Sequence, residues 1–193
     1  MKYNNKVILT DADGVLLNWE YAFCTWMEQH GYTQIADGNH YYDIGERFGI
    51  TKDEAFAKVL IFNESAAIGF LPALRDAMYY VKRLHEEHGY VFRCITSLSL
   101  DSNAYKLRKM NLEKLFGETA FEQLVCLDTG ADKDTALEPY RDSGLYWIED
   151  KVSLATNNLP QINNTDHGIW RRIKAIPFNR TFDAKEQDKN LSD

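Results

Sequence analysis

Apolar positions along the chain fall into short continuous runs separated by longer stretches of helical spacing. The runs are Val7-Ile8-Leu9-Thr10, Tyr90-Val91-Phe92-Arg93-Cys94-Ile95-Thr96, Leu124-Val125-Cys126-Leu127 and Leu145-Tyr146-Trp147-Ile148. Runs of this length, rich in β-branched and aromatic residues, predict strands covered on both faces, as in a parallel sheet. Between the first two, Trp19, Ala22, Phe23, Trp26 and Met27 recur at i, i+3, i+4, i+7 and i+8. That stripe predicts a helix over 18–30, stopped by Gly31. A polar loop follows through Asp37-Gly38-Asn39. Thr51-Lys52-Asp53-Glu54 has the capping-box spacing ahead of a helix over 55–62. Leu74, Ala77, Met78, Val81 and Leu84 predict a helix from about 73 to 88, with Pro72 near its first turn and Gly89 at its end. Residues 103–110 and 133–141 predict two shorter helices.

Strands alternating with helices predict an α/β fold, a Rossmann-like parallel sheet. Ligands of such sheets lie beyond the carboxyl ends of the strands, beside the point where strand order reverses. Asp11, Asp13, Thr96 and Asp150 all follow predicted strand ends.

Composition narrows the setting. The chain has 193 residues, suited to one domain with an insert or tail, and 13% aromatics, which provide a sizeable core. Its formal charge of −7 argues against nucleic-acid binding through bulk positive charge. Cys24, Cys94 and Cys126 are widely spaced, lack metal-ligand spacing and are expected as small buried thiols in a reducing cytoplasm. Neither a secretory signal nor a membrane-length apolar stretch is evident, so a cytoplasmic protein with no membrane partner is expected.

The chemistry concentrates at Asp11-Ala12-Asp13-Gly14, directly after the first strand. Two carboxylates one residue apart resist joint ionisation and call for a cation or a shared proton. Mg²⁺ suits such oxygen ligands, and Gly14 permits a tight loop. Three further features follow in order: Thr96-Ser97 ending the second strand, Lys133 in a polar loop, and Glu149-Asp150 ending the fourth.

In this order the motifs of residues 1–154 resemble the haloacid dehalogenase superfamily of phosphohydrolases. The resemblance implies Asp11 as nucleophile, phosphorylated in the reaction, and Asp13 as general acid and base. It implies Thr96, with Ser97, as the phosphoryl-binding end of the second strand. Lys133 would neutralise Asp11 and the phosphate, with Lys151 as a less suited substitute. Mg²⁺ would be held by Asp11, the backbone carbonyl of Asp13, and Asp150. Glu149 departs from the Gly or Asp usual there, so its role is either water-mediated metal contact or orientation of Lys133.

The long connection between the first two motifs resembles a small helical cap. The expected division is 1–17 with 72–154 as core, 18–71 as cap and 155–193 as a basic tail. In the cap, His40-Tyr41-Tyr42 and Phe48 are candidates either for stacking on a substrate ring or for the cap's own core. Gly69–Arg75 with Thr96-Ser97 resembles the 5′-deoxyribonucleotidase-like branch. The expected activity is hydrolysis of a small phosphorylated metabolite or nucleotide, with the oligomeric state open.

The tail reads differently. Leu154–Pro160 and Asp166–Phe178 resemble the C-terminal helicase segment of phage and plasmid primase-helicases, which implies Asn157 as a γ-phosphate sensor and Arg171 or Arg172 as an arginine finger. The chain lacks the Gly-x-x-x-x-Gly-Lys-(Ser/Thr) loop that ATP hydrolysis requires. A non-catalytic scaffold, or a phage nucleic-acid-associated protein acting through this tail, therefore stands as the alternative. Residues 172–178 are expected as a replacement edge strand, with 183–193 frayed.

Overall fold

The computed structural model describes residues 6–150. Lys151, the expected edge strand and the helicase-like segment with Asn157, Arg171 and Arg172 lie outside the described residues.

The four predicted strands form one sheet. β1 (Val7–Thr10), β2 (Val91–Ser97), β3 (Phe121–Leu127) and β4 (Tyr146–Ile148) are all parallel, in the order β3-β2-β1-β4. β1 is central, and all four of its residues are buried, which explains its unbroken apolar run. β3 begins earlier than its apolar stretch because Phe121 pairs with Phe92 across a register irregularity. The chain steps from β1 to β2 to β3 on one side, then returns to the far side of β1 for β4. Strand order therefore reverses between β1 and β4, and the hydrogen bond from the Asp11 amide to the Ile148 carbonyl (2.9 Å) carries the ladder into that crevice.

The helices are α1 (Trp19–Gln29), α2 (Ile44–Phe48), α3 (Lys52–Glu64), α4 (Ala77–Lys82), α5 (Ser102–Phe116) and α6 (Asp134–Leu137). Asn18 caps α1 through the Tyr21 amide and Thr51 caps α3 through the Glu54 amide, as their side-chain oxygens allow. α2 was not foreseen. It is a single short turn capped by Asp43, whose Arg47 binds Glu20 (2.6 Å) and the Tyr41 carbonyl, tying the preceding loop to α1. α5 runs six residues beyond its expected end and is capped by Asp101, which accepts from the Asn103 and Ala104 amides.

The helix expected from about 73 starts only at Ala77 and widens into a π turn over Arg83–Glu87. Its first residues serve elsewhere. Leu17 bridges Ala73 in antiparallel sense, the Asn18 amide donates to the Pro72 carbonyl, and the Leu74 amide donates to the Leu16 carbonyl. The outgoing and returning chain are thus strapped together where residues 18–71 depart from and rejoin the sheet.

The sheet's two faces are unequal. Ile8, Phe92 and Cys94 share a large buried cluster with Phe23, Met27, Phe48, Phe62, Leu112 and Phe116. Val7, Leu9, Ile95 and Trp147 form a smaller one, flanked by Ala136, Leu137 and Tyr140. The aromatics of 18–71 are therefore continuous with the core beneath the sheet. Trp19 stacks on Phe23 at 4.7 Å and Phe62 meets both rings edge-on.

Of the candidate ring-stacking residues, Phe48 is in this core, against Phe23, while Tyr41 and Tyr42 are exposed. Cys94 is buried as expected; Cys24 and Cys126 are only half-buried. Among the described residues no helix is long and apolar enough to cross a membrane.

Candidate active site

The loop after β1 has a closely determined backbone. The Leu16 and Leu17 amides both donate to the Ala12 carbonyl, and the Gly14 amide donates to the Leu17 carbonyl. Gly14 has φ +78°, a conformation that L side chains rarely adopt. A Cβ there would also meet Asp150, whose Cγ would lie 2.7 Å away. Glycine at this position lets the carboxylate following β4 close onto the loop following β1.

Asp11 is buried and fully hydrogen-bonded. Oδ1 accepts from the Ala12 amide (2.7 Å), and Oδ2 accepts from Lys133 Nζ (2.5 Å). The same ammonium donates to Glu149 Oε2 (2.7 Å), and the other Glu149 oxygen accepts from the Asp150 amide (3.2 Å). Lys133 also lies 5.5 Å from the centre of the Trp147 ring. Carboxylate oxygens of Asp11, Glu149 and Asp150 lie within 4.8 Å of one another, grading from buried to exposed. That acidic set is open to solvent at the Asp150 end.

Burial dominates Asp11 and pushes its carboxyl above the usual range, partly offset by Lys133. Asp13 is also raised, chiefly by burial and against the pull of Arg108. Burial works to lower Lys133, but Asp11 and Glu149 outweigh it and the ammonium is held above its ordinary value. With all groups ionised, Asp11, Asp13, Glu149 and Asp150 face two cations, Lys133 and Arg108, leaving a surplus of two negative charges. Hard oxygen donors with that surplus suit a divalent cation such as Mg²⁺.

Thr96 and Ser97 part company. Successive residues of a strand face opposite sides, so Thr96 follows Cys94 and Ser97 follows Ile95. The Ser97 hydroxyl donates to the Ala131 carbonyl (2.7 Å), fastening the loop that leads to Lys133. Thr96 is fully buried at the end of β2, and its hydroxyl has no hydrogen-bond partner among the described residues. A buried hydroxyl left unsatisfied is uncommon and points to a missing partner.

Residues outside the sequence reading also contribute. Asn63, on α3, donates to the Leu98 carbonyl (2.9 Å) and to Thr129 Oγ1 (3.3 Å), and accepts from Trp19 Nε1 (3.0 Å). Ser99 donates to Glu64 (2.8 Å) beside it. These bonds fix the 18–71 segment across the loops leaving β2 and β3. Arg108, on α5, donates to both oxygens of Asp13 (2.5 and 3.0 Å) from a fully buried position. Its signal was the buried stripe Ala104, Arg108, Leu112 and Phe116, visible only when α5 is followed to its true end.

The half-buried Cys126 thiol is pushed up to about 11 by burial, and Cys94 is raised well above its ordinary value for the same reason, so both are held as neutral thiols.

No family model matches the chain. It is 25% identical over 124 residues, 62% of its length, to an uncharacterized 32.4 kDa protein of the Gp30–rIII intergenic region of Enterobacteria phage T4. It is 41% identical over 54 residues, 28% of its length, to a putative helicase of Acanthamoeba polyphaga mimivirus. The chain spans 44% of the first relative and 6% of the second.

Proposed function

We propose that this chain is a Mg²⁺-dependent phosphomonoester hydrolase that works through an aspartyl-phosphate, with a small phosphorylated metabolite or nucleotide as substrate. The observation that carries the reading is the convergence on Asp11. A buried carboxylate at the strand-order reversal is neutralised by Lys133 and flanked by Glu149 and Asp150, with, at the end of the adjacent strand β2, a buried threonine whose hydroxyl has no partner among the described residues. The motif order resembles the haloacid dehalogenase superfamily, and the 18–71 segment takes the place of its helical cap.

In this reading Asp11 attacks phosphorus through a carboxylate oxygen, and the bond from phosphorus to the substrate's ester oxygen breaks. Asp13 gives its proton to the departing alkoxide. Water then attacks the phosphoryl group on Asp11 while Asp13 takes a proton back. The acyl-phosphate bond breaks and inorganic phosphate leaves. Splitting one displacement into two is the gain of covalent catalysis. Lys133 balances charge on Asp11 and the phosphoryl oxygens, and Thr96 supplies a hydrogen bond to one of them. Asp11, Asp150 and the Asp13 carbonyl would hold Mg²⁺, which supplies electrostatic stabilisation of the charge on the phosphoryl group. Glu149 has both oxygens engaged, by Lys133 and the Asp150 amide, which favours its role as the support of Lys133.

The test is hydrolysis of an aryl phosphate by the full chain, with Mg²⁺ and with chelator, for wild type and Asp11→Asn. Turnover that needs Mg²⁺ and disappears in a folded Asp11→Asn protein is expected, and a nucleotide panel then addresses the substrate. Full activity in Asp11→Asn would end the reading. The short match to a putative viral helicase favours a second reading, nucleic-acid association through the basic tail. Salt-dependent DNA binding lost on deleting 155–193 would support it.

A further inference from the structure

α5 presents Ala104, Arg108, Leu112 and Phe116 to the core, one residue every helical turn. Three of these are what a packed helix face requires, and the fourth is an arginine whose side chain is 0% exposed. An aliphatic residue would fill that space without desolvating a charge. What the guanidinium adds is its fork. Nη1 donates to Asp13 Oδ1 at 2.5 Å and Nη2 donates to Asp13 Oδ2 at 3.0 Å, while Nε is buried with no partner among the described residues. Lys106 and Lys109, its neighbours on the same helix, are exposed.

The fork acts on the one freedom Asp13 retains. Its backbone is fixed by the loop bonds among Ala12, Gly14, Leu16 and Leu17 and by its bridge to Leu17. The side-chain torsions alone remain, and a planar two-point grip removes both. A carboxylate has about four lone-pair sites, of which the fork takes two. The Asp13 side chain remains 21% exposed, so the face away from Arg108 is open.

We infer that Arg108 is the positioning residue for Asp13: from within the core it holds the carboxylate in one orientation, with the open edge presented to the leaving group. The inference rests on the reading of Asp13 as proton carrier. Arg108 itself touches no reacting atom.

A positioning role makes a specific demand. A poorly held proton donor matters most when the leaving group is a strong base and least when it departs unaided. The experiment compares wild type, Arg108→Lys, Arg108→Met, Asp13→Asn and the Arg108→Met/Asp13→Asn double variant. The substrates are an activated aryl phosphate and an alkyl monoester such as glycerol 2-phosphate, and thermal unfolding is recorded for each protein. Arg108→Lys keeps the charge without the fork, so it serves where Arg108→Met does not fold.

Both Arg108 variants are expected to lose on the order of 10²-fold in kcat on the alkyl ester but only a few-fold on the aryl ester. Asp13→Asn should show the same split, and the double variant should lose no more than Asp13→Asn alone. Equal losses on the two esters, or additive losses in the double variant, would overturn the inference and leave the phosphatase reading standing. A wild-type protein inert on both esters would overturn the phosphatase reading and this inference with it.

Discussion

Two buried cations each hold one aspartate of the Asp11-Ala12-Asp13 loop, and they do so differently. Lys133 is a compact ammonium shared between Asp11 and Glu149, at the edge of an acidic set that opens to solvent through Asp150. Arg108 is a planar fork that, among the described residues, hydrogen-bonds Asp13 alone, and it is sealed in the face of α5. The first cluster has a surplus of negative charge and room for another cation. The second is a single two-point pair, sealed on the Arg108 side and open at the far edge of Asp13. Asp11 thus sits where charge can be exchanged, as the nucleophile role proposed for it would require, while Asp13 sits where direction is preserved.

Several measurements break or sharpen that contrast. The largest effect is expected from Arg108→Met. It leaves the half-buried Asp13 without its partner, and breaking a pair anchored in the core costs about 3 kcal/mol. At roughly 2–4 °C per kcal/mol for a chain of this size, Tm should fall by about 6–12 °C. Replacing both residues with apolar side chains should recover much of the loss. A wild-type urea midpoint in Arg108→Met would show that the pair carries no such cost.

Lys133→Met should cost on the order of 10²-fold or more in turnover and should make stability depend on pH. Burial already raises Asp11 above its unfolded value of 3.8, and removing the ammonium raises it further. A carboxyl with a raised folded pKa binds protons more tightly when folded, so stability is lost as pH rises from the unfolded value through the folded one. Tm of Lys133→Met should be higher at pH 5 than at pH 8. A flat profile would mean that Asp11 relaxes to solvent.

Mg²⁺ should stabilise the wild type by a few degrees at saturation. Because Asp11, one of the carboxylates that would hold the ion, has a raised proton affinity, the shift should grow as pH rises and shrink toward acid. EDTA should abolish it, and Arg108→Lys should retain it. A pH-independent Mg²⁺ effect would place binding elsewhere.

The smallest effect belongs to Glu138→Ala. Its pairing with Arg141 (2.7 Å) lies on the surface, where ion pairs contribute little. Tm should not move measurably.

Strand positions were legible because burial on both faces demands unbroken apolar runs, as in β1. The acidic loop was legible because like charges crowded after a strand end call for a cation or a shared proton, whereas Lys133 was singled out only by its place in the motif order that resembles the haloacid dehalogenase superfamily. Arg108 was not. On a short helix it reads as one basic residue among Lys106 and Lys109, and only the full length of α5 places it on the apolar stripe. Thr96 and Ser97 were hard to tell apart for a related reason. Adjacent hydroxyls at a strand end look equivalent in sequence, yet the pleat sends one to each face. Pro72 permitted a helix start, but the cross-chain bonds of Leu16, Leu17 and Asn18 took those residues first.

The strap between Leu17 and Ala73 has an engineering consequence. Its two ends are neighbours, so the intervening segment could be cut out and the gap closed by a short turn without stretching the sheet. The geometry of the chain path invites transplantation, whereas the packing resists it. Phe23, Met27 and Phe62 leave with the segment, and the cluster containing Ile8, Phe92 and Cys94 would keep Leu112 and Phe116 of α5 but lose much of its aromatic cover. A graft from another protein would therefore succeed only if it brought a matching set of rings, and a library built on this scaffold should vary the outward positions while holding those three fixed.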